Sequence, residues 1–301
     1  MDSFTKNLSL VIFFFVSKNL LASPGPDLKK VPKDFQLVAA HEERILLGVN
    51  SQNALVLLDL KNPKPMVLTK DPRASANFIF HTQKPWLAYI ETQPETFKQR
   101  LHVYDFNVDA EIFKSTPFKL SLFLDWLDPC RIVVGTTEEN PAQAYQFKVA
   151  PLCDSGSAIK RKTKSLWTVF SNGSPVNWGL DFGLEFKEIP DLSMGLVYSA
   201  RPSLDDNLVF TTDKGGIFVL SRETSKIIAK QDSGFRPKLH TKKPWVLFEV
   251  PGNGFRVWNY SNQKILELKN IQGAQSFWGD SGVIYQDKKG IGIHTLNWSG
   301  L

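Results

Sequence analysis

From about residue 35 onward, apolar and polar positions alternate in short runs, and turn residues separate the runs. Long stretches with helical periodicity are absent. The runs come in matched pairs. "RILLGVN" (44–50) precedes "ALVLLDL" (54–60), and "PWLAYIE" (85–91) precedes "RLHVYDF" (100–106). "RIVVGTT" (131–137) leads to "AYQFKVA" (144–150), and "NLVFTTD" (207–213) to "GIFVLSR" (216–222). The last pairs are "PWVLFEV" (244–250) with "GFRVWNY" (254–260), and "SGVIYQD" (281–287) with "GIGIHTL" (290–296). "DKGG", "PGNG" and "DKKG" join three of the pairs and supply the positive φ of tight turns. Each pair is predicted to be a β-hairpin, so the chain is all-β.

The second member of four pairs ends in one slot: Leu58-Asp59, Tyr104-Asp105, Leu220-Ser221 and Trp258-Asn259. In three units a turn and another apolar run follow, as in "KNPKPMVLT", "RETSKIIAK" and "SNQKILELK". At this point "FRVWNYSNQKILEL" (255–268) resembles the third strand, turn and fourth strand of a tryptophan-aspartate repeat. That repeat is the blade of many β-propellers. Only this unit carries the Trp, Asn259 stands where the family usually has Asp, and the family's glycine–histidine element is not evident. The resemblance implies a β-propeller over most of 36–301, and the general plan is also similar to bacterial periplasmic propellers that serve envelope assemblies.

Spacing supports a repeat. Leu46, Leu87, Val133, Val209, Val246 and Val283 are equivalent, with steps of 41, 46, 76, 37 and 37 residues. Blades of this type run about 40–45 residues. The long step therefore hides a seventh blade around "SLWTVFS" and "GLDFGLEF", with six blades and an insertion near 155–200 as the alternative. No room remains for a fourth strand after "GIHTLN", so "DLKKVPKDF" (27–35) is expected to supply it, closing the ring with strands from both chain ends. The segments expected innermost, "QLVAA", "ANFIF", "LSLFL" and "QSFW", are mainly apolar.

The N-terminus adds an address. Lys6 precedes an apolar run from Leu8 to Val16, and Ala22-Ser23 is followed by a Pro/Gly break. This is the layout of a signal peptide over 1–22, leaving 23–301 as one domain. The protein is accordingly expected to be exported, to the periplasm or outside the cell. Cys130 and Cys153 flank one hairpin and, if they face each other across it, can form a disulfide suited to that compartment. The formal charge of +6 is dispersed, which argues against nucleic acid as a partner.

Catalytic motifs are missing: the chain holds no G-x-S-x-G, phosphate loop, HExxH or dinucleotide fingerprint. "HTQKPW" (81–86) nearly repeats as "HTKKPW" (240–245), and His41 holds the same slot to within one residue. Equivalent turns of separate blades cannot converge on one ion, so these histidines read as turn residues bonding local backbone, with Trp86 and Trp245 packing between blades. No metal and no cofactor are expected. Asp125 and Asp128 in "LDWLD" fit turn formation as well as an acid–base pair.

The densest basic stretch is "KRKTK", with Lys160, Arg161, Lys162 and Lys164, and Trp167 and Trp178 lie nearby. These six are the binding candidates, for an acidic protein face, an anionic surface or a glycan. Sequons occur at Asn172, Asn259 and Asn297. The reading that follows is a monomeric, exported, non-catalytic propeller that binds a protein. A propeller hydrolase or lyase acting on a sugar or lactone is the alternative, and glycan binding a further one.

Overall fold

The computed structural model describes residues 28–297 except 72–73, 75–76, 82, 119–120, 129, 137–143, 150–165, 172–173, 179–185, 189–196, 203–206, 213, 222–223, 225 and 270. The alternating runs of the sequence become short strands, because each apolar position needs a buried face on one side or the other. The first sheet comprises β1 (Gln36–His41), β2 (Ile45–Val49), β3 (Leu55–Asp59) and β4 (Asn62–Thr69). The second holds β5 (Phe78–Phe80), β6 (Trp86–Thr92), β7 (Gln99–Asp105) and β8 (Ala110–Lys114). The third has β9 (Ser121–Asp128), β10 (Arg131–Thr136) and β11 (Ala144–Lys148).

Next come β12 (Leu166–Ser171), β13 (Ser174–Trp178) and β14 (Phe186–Glu188). The fifth sheet is β15 (Val197–Pro202), β16 (Leu208–Thr212), β17 (Ile217–Leu220) and β18 (Ile227–Gln231). The sixth is β19 (Phe235–Leu239), β20 (Trp245–Val250), β21 (Gly254–Asn259) and β22 (Lys264–Leu268). The last is β23 (Ala274–Trp278), β24 (Gly282–Asp287) and β25 (Gly290–Thr295).

Six of these seven sheets are antiparallel meanders in chain order. The fourth is irregular, running β13-β12-β14 with β14 parallel to β12. The degenerate unit foreseen near 165–186 is therefore a sheet, but not one with a blade's strand order.

Where side chains are described, neighbouring sheets pack face to face, and β2 and β20 each serve two neighbours. Ile45 and Leu47 of β2 sit with Leu87 and Tyr89 of the second sheet, while Leu46 between them packs with Trp278 and Ile284 of the last. In β20, Val246 and Phe248 meet Val209 and Val219 of the fifth sheet, and Trp245 and Leu247 meet Phe277 and Val283 of the last. Burial of both faces is what a propeller requires. First strands of adjoining sheets touch one another, as β1 touches β23 and β23 touches β19, which makes them the innermost strands.

Closure differs from the expected strand exchange. Leu28–Lys30 is a 3-10 turn, and no strand is formed between it and β1. Leu28 and Val31 instead pack, as Ile291 and Ile293 do, against the cluster that holds Phe35 and Trp278. The joint is pinned by Gln286 of β24, whose Oε1 accepts from Leu37 N at 2.6 Å and whose Nε2 donates to Phe35 O at 2.8 Å. Pro32 and the exposed lysines of this segment suit a cap better than a ladder strand.

The cysteine hairpin also departs from expectation. Arg131 pairs with Lys148 and Gly135 with Ala144, which puts Val149 opposite Cys130. Val149 N donates to Cys130 O at 2.8 Å. Ile132 and Val134, buried in the core, set this register, and burial outranks the placement of the cysteines. Cys153 lies outside the described residues, as do residues 1–27 and the basic run at 160–164.

Candidate functional site

Both hexapeptides form the same turn. His81 Nδ1 accepts from the amides of Gln83 and Lys84, each at 2.9 Å, and His240 Nδ1 accepts from Lys242 N at 3.0 Å. Trp86 and Trp245 close the turns by accepting from the His81 and His240 amides at 2.8 and 3.0 Å. The ammonium groups of Lys84 and Lys243 lie 4.1 and 4.2 Å from the neighbouring Trp ring centroids. The turn is local chemistry, as the sequence suggested.

A second role is not local. Each histidine ring leans on an aromatic of the following sheet: His41 stacks on Phe80 at 4.7 Å, His81 meets Trp126 at 4.7 Å, and His240 meets Phe277 at 4.8 Å. His240 Nε2 also donates to Gly279 O at 3.0 Å, with Asp280 Oδ1 3.2 Å away. Burial holds His41 in its neutral form, pushing its pKa down to about 4. Burial lowers His240 as well, against the opposing pull of Asp280. The three rings join neighbouring sheets and face no common centre.

The repeat's aspartate slot is structural too. Asp59, Asp105 and Asn259 accept from the backbone amide two residues on, at 2.9, 2.8 and 3.1 Å, which turns the chain into the fourth strand. Asp105 also takes the Trp86 indole at 2.8 Å, and Asp59 takes the Arg44 guanidinium. Arg44 in turn reaches Asn107 of the second sheet at 2.7 Å. Asn259 is buried, and its Oδ1 holds both the amide and the hydroxyl of Ser261.

One further polar cluster lies in the second sheet. The buried His102 ring is stacked on Tyr89, with Nε2 3.1 Å from Glu91 Oε2 and Nδ1 2.5 Å from Glu111 Oε2. Thr69 of β4 donates to Glu91 and so ties the cluster to the first sheet. Among the described residues, no group of His, Cys, Asp and Glu is arranged to hold a metal ion.

What the sequence did not reveal is a basic groove. Arg236 and Lys238 lie on β19, an innermost strand that was not among the segments expected there, and both are exposed. They line a cleft of about 330 Å³ between the sixth and last sheets. Leu247, Phe248, Phe255, Ile271 and Ala274 make its apolar floor, and Gln272, Gln275 and Glu249 complete the rim. The register of β19 slips between Phe235 and Lys238, and Arg236 sits at φ 51°, a left-handed conformation uncommon for a branchless long side chain. Across the cleft, Gly273 has φ 68°, and a Cβ there would stand 2.3 Å from Gln286 O. Only glycine lets this wall lie so close to β24.

The binding candidates from sequence are elsewhere. Trp167 and Trp178 are register partners on β12 and β13. Asp125 and Asp128 lie within β9, paired with Val133 and Arg131, and Asp128 ends the strand just before the connection to β10.

No protein-family model and no curated protein sequence matches the chain. Solved structures do. The WD40 β-propeller domain of Doa1 is 12% identical with a TM-score of 0.54, covering 88% of this chain and 94% of that one. The β-propeller domain of Cps50 (Swd1) from Myceliophteria thermophila also has a TM-score of 0.54, at 10% identity, with 88% and 97% covered. Saccharomyces cerevisiae Sqt1 follows at 0.51 and 8% identity, with 89% and 84% covered. At such identities the likeness concerns fold alone, and it agrees with the repeated turns and doubly buried strands: the chain is a β-propeller, distantly similar to WD40-repeat domains.

Proposed function

We propose that this protein is an exported, monomeric, non-catalytic propeller that works by binding another protein. One observation carries the reading. The histidines at the blade turns and the carboxylates in the repeat slot are engaged in turns and in joints between sheets, and the recessed, mixed polar and apolar surface lies at a groove between two blades. Rigid blades that present loops and grooves suit recognition better than group transfer. Among the described residues no helix is long and apolar enough to cross a membrane. We further assign seven blades, with the irregular fourth sheet as one of them, and a Cys130–Cys153 bridge reached by the chain beyond Val149.

The test is purification from the native compartment. N-terminal sequencing should read from Ser23, and a second polypeptide should co-purify in stoichiometric amount. A chain that starts at Met1, or one recovered alone and able to open a sugar lactone, overturns the proposal. Alkylation before and after reduction should label the cysteines only after reduction.

A further inference from the structure

We infer that the outer edge of β25 receives an extended segment of the protein partner, which completes the last sheet as its fourth strand. The inference rests on the protein-binding reading above and names its surface. Four sheets end in a fourth strand, β4, β8, β18 and β22, whereas the last sheet stops at its third.

The register leaves this edge open. Leu296 N donates to Ser281 O, while Gln286 N donates away from β25, to Gly273 O. The ladder sets Gln286 opposite Ile291, Ile284 opposite Ile293 and Gly282 opposite Thr295. These are the pairs without mutual hydrogen bonds, so the amides and carbonyls of Ile291, Ile293 and Thr295 point outward. Among the described residues no strand stands on that side. The closing cap does not supply one, because the Val31 and Phe35 amides turn back to Leu28 O and Pro32 O. The residues before the cap, "SPGPD" at 23–27, suit a ladder poorly, since Pro24 and Pro26 have no amide to donate.

Composition marks the edge as one built to be covered. Natural sheets protect exposed edges with charge and proline. β4 carries Pro63, Lys64 and Pro65, β8 carries Glu111 and Lys114, β18 carries Lys230, and β22 carries Lys264 and Glu267. β25, "GIGIHT", has no proline, lysine, arginine or carboxylate. Ile291 and Ile293 stay half-buried, so an incoming strand gains by setting apolar residues beside them.

Charge gives the segment a direction. The turn before β25 exposes Lys288 and Lys289 against one carboxylate, Asp287, whose Oδ1 accepts from Lys289 N at 2.7 Å. The four existing outer strands run antiparallel to their third strands. A partner strand in the same sense brings its C-terminal end to these lysines, where acidic residues fit. The occupant is therefore apolar at alternate positions and acidic at its end.

The full mature chain with its co-purified partner tests this. Thr295→Pro removes an outward amide that β24 does not use, and Thr295→Val keeps it. The proline variant should melt close to the wild type and bind the re-added partner about tenfold more weakly, with the valine variant unchanged. Lys288→Glu/Lys289→Glu should weaken binding as well. On the wild-type chain, residue-resolved amide exchange should slow at Ile291, Ile293 and Thr295 only when the partner is present. Full binding by the proline or the charge-reversed variant overturns the inference and leaves the partner-binding reading standing. So does slow exchange at these amides in the isolated chain, which would put its own segment on the edge. Slowing that follows the concentration of the isolated chain would put a second copy there, and overturns it too. A chain that purifies with no partner counts against both readings.

Discussion

His41, His81 and His240 show how one residue type can look like chemistry and act as carpentry. All three rings lie against an aromatic of the next sheet, and in His81 and His240 Nδ1 also accepts from turn amides. The consequence is a pH dependence with a definite sign. His41 is neutral when folded, with its pKa lowered from 6.5 to about 4 by burial. Its contribution is complete above the unfolded pKa and is lost as pH falls from 6.5 toward 4, on the order of 3 kcal/mol for a shift of this size. His41→Phe keeps a ring against Phe80 and removes the proton site. Its urea midpoint should therefore fall less steeply than the wild type between these pH values. Equal slopes would show that His41 does not carry the titration.

Asp105 is the matching case for the repeat slot. Asp105→Ala strips an acceptor from the Trp86 indole and from the Asn107 amide. About 2–3 kcal/mol should be lost in denaturant titration, and Asp105→Asn should lose less because it keeps an amide acceptor. The turn roles of these residues were legible in the sequence, since they depend on neighbours a few positions away. The inter-sheet contacts were not, because Phe80, Trp126 and Phe277 come from the following repeat.

At the scale of elements, the hairpins were legible wherever apolar alternation met a glycine turn. Gly215, Gly216, Gly252, Gly254 and Gly290 all adopt the positive φ that their turns predicted. Legibility failed at β19. "FRPKL" holds a proline and two bases, so neither composition nor period marks it as an inner strand, and the bulge at Arg236 breaks the alternation. It failed again at the closure, where the end of the last sheet suggested a donated strand and the chain used a cap and one glutamine. Gln286→Ala removes both bonds that tie β24 to Phe35 and Leu37. It should cost about 1–2 kcal/mol and raise hydrogen exchange at the Leu37 amide, and unchanged exchange would place the closure elsewhere.

For the molecule as a whole, the propeller was readable because its blades repeat, and the groove was not because it belongs to one pair of blades only. The groove draws Arg236 and Lys238 from one sheet and Gln272 and Gln275 from the approach to the next. No local pattern announces such a meeting. The basic run at 160–164 drew attention by density alone, whereas two bases on an inner strand acquire meaning from where the strand lies. This sets two surfaces against each other: histidine turns that hold blades together, and a groove between the sixth and last sheets. Hydrogen-exchange mass spectrometry on the mature chain, with and without its co-purified partner, shows most directly which surface the partner covers. The account predicts new protection along β25, at 290–295, and none at 81–86 or 240–245. Protection centred on the two histidine turns, with β25 unchanged, would contradict it.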